Sequence, residues 1–180
     1  LRIFAIGTRR RFSGEGLGGR ALGDNRDLLR AGERLRAFRG AGIDHARQEI
    51  LVGAYGLTTG SGIVEALLRA HRRGVEVKLI ADKRTPCGRK SGVDTLASAG
   101  VPVWIDHIAW IAHVKTMVID GTVTLNGSYN WTRGAAANSE DLNLVASPIV
   151  AETYAAHWRD RQALSLRFDR REDWCRAGAR

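Results

Sequence analysis

HVKTMVIDGTVTLNGSYNWT, residues 113–132, decides how this chain of 180 residues is read. A His and a Lys stand two apart, an Asp-Gly follows, and a small polar cluster, Gly-Ser-Tyr-Asn, comes near the end. Side chains on a strand alternate between faces, so His113, Lys115, Met117 and Ile119 share one. Asp120-Gly121 is a strong signal for a two-residue hairpin turn. With that loop, Ile119 pairs with Thr122, Met117 with Thr124, Lys115 with Asn126 and His113 with Ser128, and paired residues share a face. The fold-back is therefore expected to bring Ser128 beside His113, with Asn130 just beyond, where the chain leaves the ladder. Imidazole, ammonium, hydroxyl and carboxamide on one patch make a binding surface for a tetrahedral anion. Lys supplies the charge, and Ser and Asn supply neutral donors. Asp120 stands apart. It is seven residues from His113, about 23 Å along an extended strand, so its expected role is structural, at the turn.

A His that acts as nucleophile or acid–base needs its other ring nitrogen held by an acceptor, usually a carboxylate. NSEDLNL, residues 138–144, offers Glu140 and Asp141 at the mouth of the next strand. Asp141, Asn143 and Val145 share one side, and Glu140, Leu142 and Leu144 the other. Periodicity alone does not choose between the two carboxylates.

Before this stretch the chain reads as alternating strands and helices. EILVGAY (49–55) is an apolar strand. SGIVEALLRAHRRG (61–74) is an amphipathic helix, capped by Ser61 and stopped at Gly74. VEVKLIAD (75–82) is a strand, RKSGVDTLASAG (89–100) a helix and VPVWID (101–106) a strand. This order implies parallel strands with right-handed crossovers. After the hairpin, DLNLVAS (141–147) is a further strand, and Ser147-Pro148 starts a last helix running to about Leu166. The expected class is α/β, an α-β-α sandwich with a mixed, largely parallel central sheet over residues 43–168.

Residues 1–42 are Gly- and Arg-rich and read as a poorly ordered leader with one short helix around Asn25 to Phe38. The first residue is Leu rather than Met, which suggests a fragment or a misassigned start. TRRRF (8–12) matches the opening of a twin-arginine signal, but no apolar stretch follows, so it is not read as a signal peptide. GEGLGG (14–19) fits a dinucleotide pattern without the strand and helix that would support it. Residues 169–180 read as a charged tail. The longest apolar runs fall short of the ~20 residues of a membrane span. Stable membrane insertion is not expected, and the compartment, bacterial cytoplasm or periplasm, stays open.

The formal net charge of +9 suggests an anionic partner. Its distribution weakens the point. Residues 1–47 hold 11 Arg against 5 acids, and the rest 17 basic against 14 acidic residues, so most of the excess lies outside the segment with the chemistry. Cys87 and Cys175 are neither a disulfide framework nor a metal set. His107 and His113 are not expected to form a metal pair, since no third ligand has the spacing and Lys115 repels cations. Trp104, Trp110 and Trp131 could stack on bases, but packing in the core or a dimer is the expected role; Trp131, directly after Asn130, is the candidate for lining the site. Arg72-Arg73 and Lys83-Arg84 read equally as contacts to a nucleic-acid backbone or as solvated charges.

H-x-K-x4-D followed by G-S-x-N resembles the signature of the phospholipase D superfamily. The matching residues are His113, Lys115, Asp120, Gly127, Ser128 and Asn130, and the later Asn-Ser-Glu resembles the family in pointing to Glu140. One motif copy and this length are most similar to the small bacterial nucleases of the superfamily. That resemblance implies a homodimer with a shared active site. It also implies attack on phosphorus by His113 to form a phosphohistidine, with His113 of the partner subunit as general acid. Lys115 and Asn130 would hold the phosphate oxygens, Ser128 and Glu140 would orient the imidazole, and no metal or other cofactor would be required. Nucleic acid is the expected substrate. Phospholipid hydrolysis or transfer and non-catalytic nucleic-acid binding are the alternatives.

Overall fold

The computed structural model describes residues 2–7, 42–170 and 174–177. Its centre is β2 (Glu49–Ala54), where every residue from Ile50 onward is buried. Strand β3 (Glu76–Asp82) and β4 (Val103–Asp106) extend the sheet from β2 in parallel. The crossovers are α1 (Ile63–Arg72) and α2 (Gly92–Ser98). Helix α1 buries Ile63, Val64, Ala66, Leu67 and Ala70, the stripe that helical periodicity turns to a sheet. Burying a side chain such as Leu67 contributes about 1.5–3 kcal/mol. Ser61 Oγ accepts from Ile63 N–H at 3.2 Å, and Gly74, at φ +89°, ends the segment. Ser91 caps α2 by accepting from Val93 N–H.

On the other side of β2 the sheet turns antiparallel. Strand β5 (Lys115–Ile119) pairs with β2, β6 (Val123–Gly127) with β5, and β7 (Asp141–Ala146) with β6. Strand β1 (Arg2–Gly7) lies parallel to β7 at one edge, and β8 (Leu166–Arg167) antiparallel to β4 at the other. The sheet is mixed, with the order β1-β7-β6-β5-β2-β3-β4-β8.

Two layers cover it. Ile50, Val52, Leu79, Ala81, Met117 and Ile119 join the main core with α1 and α2. Their neighbours Leu51, Ile80 and Val118 face the opposite way and meet Ala151, Ala155 and Trp158 of α3 (Pro148–Ala163). Covered on both faces, these strands read as continuous apolar runs. The α/β sandwich with a mixed sheet expected from the sequence is the architecture found, but the sheet is not largely parallel: among the described residues three strand pairs are parallel and four antiparallel.

Several local expectations are corrected. The hairpin register is displaced by one residue: Ile119 lies opposite Val123, Met117 opposite Leu125 and Thr116 opposite Asn126. The predicted register would have set Thr122 and Thr124 on the face of buried Met117 and Ile119. The observed one puts Leu125, fully buried, and Val123 there instead, so the hydrophobic pattern overrides the turn signal. The last helix ends at Ala163, because Leu166 and Arg167 pair with β4.

Cys87 and Cys175 form a disulfide, so the residues expected to be a free tail are tied back. Trp174, in α4 (Trp174–Ala177), is buried and stacks on Phe168 at 5.6 Å between ring centroids. Within the expected leader, Arg2–Gly7 is a strand. The helix around Asn25 to Phe38 and the motifs at 8–12 and 14–19 lie outside the described residues.

Candidate active site

The ends of β2 and β6 and the starts of β5 and β7 meet at one end of the central strands. Lys115, the first residue of β5, is 5% exposed. Its Nζ donates to the His113 carbonyl at 3.2 Å and sits 5.0 Å from the Tyr55 ring centroid. An ammonium has three N–H donors, and among the described residues this is the one hydrogen bond the Lys115 ammonium makes. Burial pushes its pKa below the ordinary lysine value, and the charge of Glu140 pulls the other way.

The His113 ring is exposed and lies edge-on to Tyr55, with centroids 4.6 Å apart. Tyr55 follows β2 directly, and its N–H donates to the Val114 carbonyl at 2.8 Å. That bond carries the β2–β5 pairing past Lys115 and fixes the backbone on both sides of it.

Strand β6 ends at Gly127, with φ +155°, and a Cβ there would come within 2.1 Å of the Asp141 carbonyl oxygen. Only glycine allows β7 to approach so closely. The approach lets Ser128 N–H donate to the Asp141 carbonyl at 3.0 Å. Ser128 Oγ accepts from Asp141 N–H at 3.0 Å and donates to the Glu140 carboxylate. Asn138 Nδ2 donates to the other Glu140 oxygen at 3.0 Å. The Ser128 hydroxyl foremost, and then the Asn138 carboxamide, hold the Glu140 carboxyl below the usual carboxylate range. Asp141 itself is exposed. Of the two carboxylates, Glu140 is the one bonded to Ser128.

Asn130 sits against the backbone next to Tyr55: a Cβ at Gly56 would meet its Oδ1 at 3.2 Å. That Oδ1 is buried and makes no hydrogen bond. Just past it, Thr132, Arg133 and Gly134 border an open cleft of about 420 Å³ with Thr58, Arg89 and Lys90.

Asp120 lies at the opposite end of β5. Its carboxylate accepts from the backbone N–H of Arg47 at 2.9 Å, Gln48 at 2.8 Å and Glu49 at 3.1 Å. Trp131 does not line the site. It is fully buried and donates through Nε1 to the Gly53 carbonyl at 3.2 Å. Adjacency to Asn130 suggested the wrong side, because Trp131 pairs with Leu57 in a bridge and turns inward.

The hairpin alone does not bring Ser128 to His113, as the register shift shows. The two halves are joined through β7, by the Ser128–Glu140 bond and the field of Glu140 on Lys115. The sequence reading missed Tyr55, which touches both His113 and Lys115. Its signal was the final aromatic of EILVGAY, at the mouth of the central strand. Among the described residues, no group of three or more His, Cys, Asp or Glu could hold a metal ion.

A family profile described as "Cardiolipin synthase, PLD-like domain" matches residues 41–161. A Phospholipase D of Rickettsia bellii is 35% identical over 122 residues, which cover 67% of this chain and 60% of that protein. A Mitochondrial cardiolipin hydrolase of Chlamydomonas reinhardtii is 37% identical over 91 residues, covering 50% of this chain and 41% of that one. The chain spans about three fifths of the length of the first of these relatives. The crystal structure of Nuc, a phospholipase D family member from Salmonella typhimurium, superposes with a TM-score of 0.68. Its identity is 32%, and the match covers 74% of this chain and 90% of Nuc.

Proposed function

The chain belongs to the phospholipase D superfamily, and on that footing we propose that it is a phosphodiesterase that cuts nucleic acid through a phosphohistidine, without a metal. The observation that carries this is Lys115, a buried ammonium bonded to one carbonyl and backed by Glu140, beside an exposed imidazole. A buried charge is costly unless paired. A phosphodiester oxygen at Lys115 is the counter-ion that offsets this cost at the moment of binding.

The steps follow from the residues. An unprotonated nitrogen of His113 attacks phosphorus, the N–P bond forms, and the P–O bond to the leaving group breaks on the opposite side. Lys115 and Asn130 hold the non-bridging oxygens. A second acid must protonate the leaving alcohol from the far side. His113 of the partner subunit supplies it across a two-fold axis. Water then attacks phosphorus, gives its proton to that second imidazole, and frees His113. Glu140 and Ser128 act as positioning residues behind this surface.

Support for nucleic acid over lipid comes from the open cleft with Arg89, Lys90 and Arg133 beyond Asn130. Lipid hydrolysis is the second reading, favoured by the names of the Rickettsia and Chlamydomonas relatives. Among the described residues, no helix is long and apolar enough to cross a membrane. The Cys87–Cys175 bridge favours an oxidising compartment such as the periplasm.

Plasmid nicking in excess EDTA, with His113→Ala alongside, is the direct test. The wild type is expected to cut, and the variant to lose roughly 10⁴-fold or more of the activity. Cleavage of phosphatidylcholine or cardiolipin, but of no nucleic acid, would move the assignment to the lipid reading. Full activity in a species with the mass of one chain would overturn the shared site.

A further inference from the structure

The segment between β4 and β5 holds a large aromatic out in solvent. Trp110 is 81% exposed and Ile108 59%. The loop is pinned on both sides of Trp110 by carboxylates at the ends of adjacent parallel strands. Asp106, 3% exposed, accepts from Ala109 N–H at 3.4 Å, and Asp82, 1% exposed, accepts from Ala112 N–H at 2.8 Å. Arg161 holds Asp106 with contacts of 2.6–2.9 Å. Asp82 also accepts from Arg84 N–H at 2.9 Å, so the same carboxylate ties the Lys83-Arg84 turn to the loop. Lys83 Nζ lies 5.9 Å and the Arg84 guanidinium 6.0 Å from the Trp110 ring centroid. The pinning carboxylates are buried, so this patch presents an indole and two cations. His113 follows three residues after Trp110.

An exposed indole with two cations beside it matches a nucleic-acid single strand, which presents a base and then a phosphate at each step. Insertion into a bilayer suits it less well. The cations stand within 6.0 Å of the ring centroid, so a buried indole would carry them toward the apolar layer.

We propose that Trp110, flanked by Lys83 and Arg84, is a strand-holding platform of the active site. The indole stacks on a base next to the phosphodiester being cut, and the two cations take neighbouring phosphates. This rests on the nuclease reading and extends it to a preference for unpaired strands, whose bases are free to stack.

The test compares a labelled single-stranded oligothymidylate with bis(p-nitrophenyl) phosphate, a diester too small to reach past His113. Trp110→Ala is expected to lower the preference for the oligonucleotide by roughly tenfold, through KM, and Trp110→Phe to restore most of it. Lys83→Ala with Arg84→Ala is expected to flatten the salt dependence of oligonucleotide binding by about 0.7 log units per lost phosphate contact. In a His113→Ala background, oligothymidylate is expected to quench fluorescence that Trp110→Phe removes; Trp131, Trp158 and Trp174 are buried, and Trp104 is half-buried beside Arg167. An unchanged KM and preference in Trp110→Ala, with the wild type cutting the oligonucleotide, would overturn the platform and leave the nuclease reading standing. A wild type that hydrolyses the small diester but no nucleic acid removes both. Loss of cardiolipin-vesicle binding in Trp110→Ala, with oligonucleotide cleavage unchanged, would assign the patch to a membrane surface and overturn the proposal.

Discussion

At the turn end of the β5–β6 hairpin, the Asp120 carboxylate accepts from three backbone N–H groups. At the open end, Lys115 is nearly as inaccessible as the core and bonds to one carbonyl, while Asn130 Oδ1 is buried without a hydrogen bond. Both ends belong to one stretch of about twenty residues. One end has its polar capacity satisfied by the chain itself, and the other keeps capacity for something outside it. Satisfied polar groups rigidify a fold, and unsatisfied buried ones cost stability. On the proposed reading, the spare N–H donors of Lys115 are kept for a ligand phosphate, and function sits at this end.

The comparison breaks if the two ends respond alike to mutation. Lys115→Met should have the largest effect, in activity alone. Turnover of a phosphodiester is expected to fall by roughly 10³-fold or more. Stability in urea is expected to stay within about 1 kcal/mol of wild type or to rise, since a buried charge gives way to an apolar side chain of similar reach. A large loss of stability would mean that Lys115 holds the fold.

Asp120→Ala should do the reverse. Loss of the three backbone contacts is expected to cost about 2 kcal/mol, a drop of roughly 4–8 °C in melting temperature for a chain of this size. Turnover per folded molecule should fall far less than in Lys115→Met. Loss of turnover with an unchanged melting temperature would put Asp120 in the site.

Glu140→Gln should give the smallest effect on folding and sharpen the boundary between the two ends. The folded-state pKa of Glu140 is depressed, chiefly by Ser128. Its contribution is therefore present above the ordinary carboxylate range and is lost as pH falls through the depressed value. Melting temperatures followed from neutral into acid should fall more steeply for the wild type than for Glu140→Gln. Parallel curves would mean that the Ser128–Glu140 bond does not stabilise the fold.

The strand and helix order was legible because apolar periodicity is local. Ile63, Leu67 and Ala70 announce α1, and the apolar run 50–54 announces a strand covered on both faces. His113, Lys115, Ser128 and Asn130 were picked out as candidate site residues from type and spacing. The register was not. Asp120-Gly121 is a sound turn signal, but burial of Val123 and Leu125 against the core outweighed it. Trp131 was misread for a related reason: position along the chain says which residue is near Asn130, not which way its ring points. The Cys87–Cys175 bridge spans 88 residues, and no local pattern carries a pairing of that length.

By itself, the sequence determined the α/β order, the strand that Lys115 opens and the separation of Asp120 from that end, because these depend on backbone periodicity and residue chemistry; His113, expected on the strand, lies just before it. Only the tertiary structure set Glu140 against Ser128, brought Tyr55 to His113, turned Trp131 inward and held Trp110 outward. Each of those outcomes depends on which strands lie side by side, and that is decided by burial summed over the whole core.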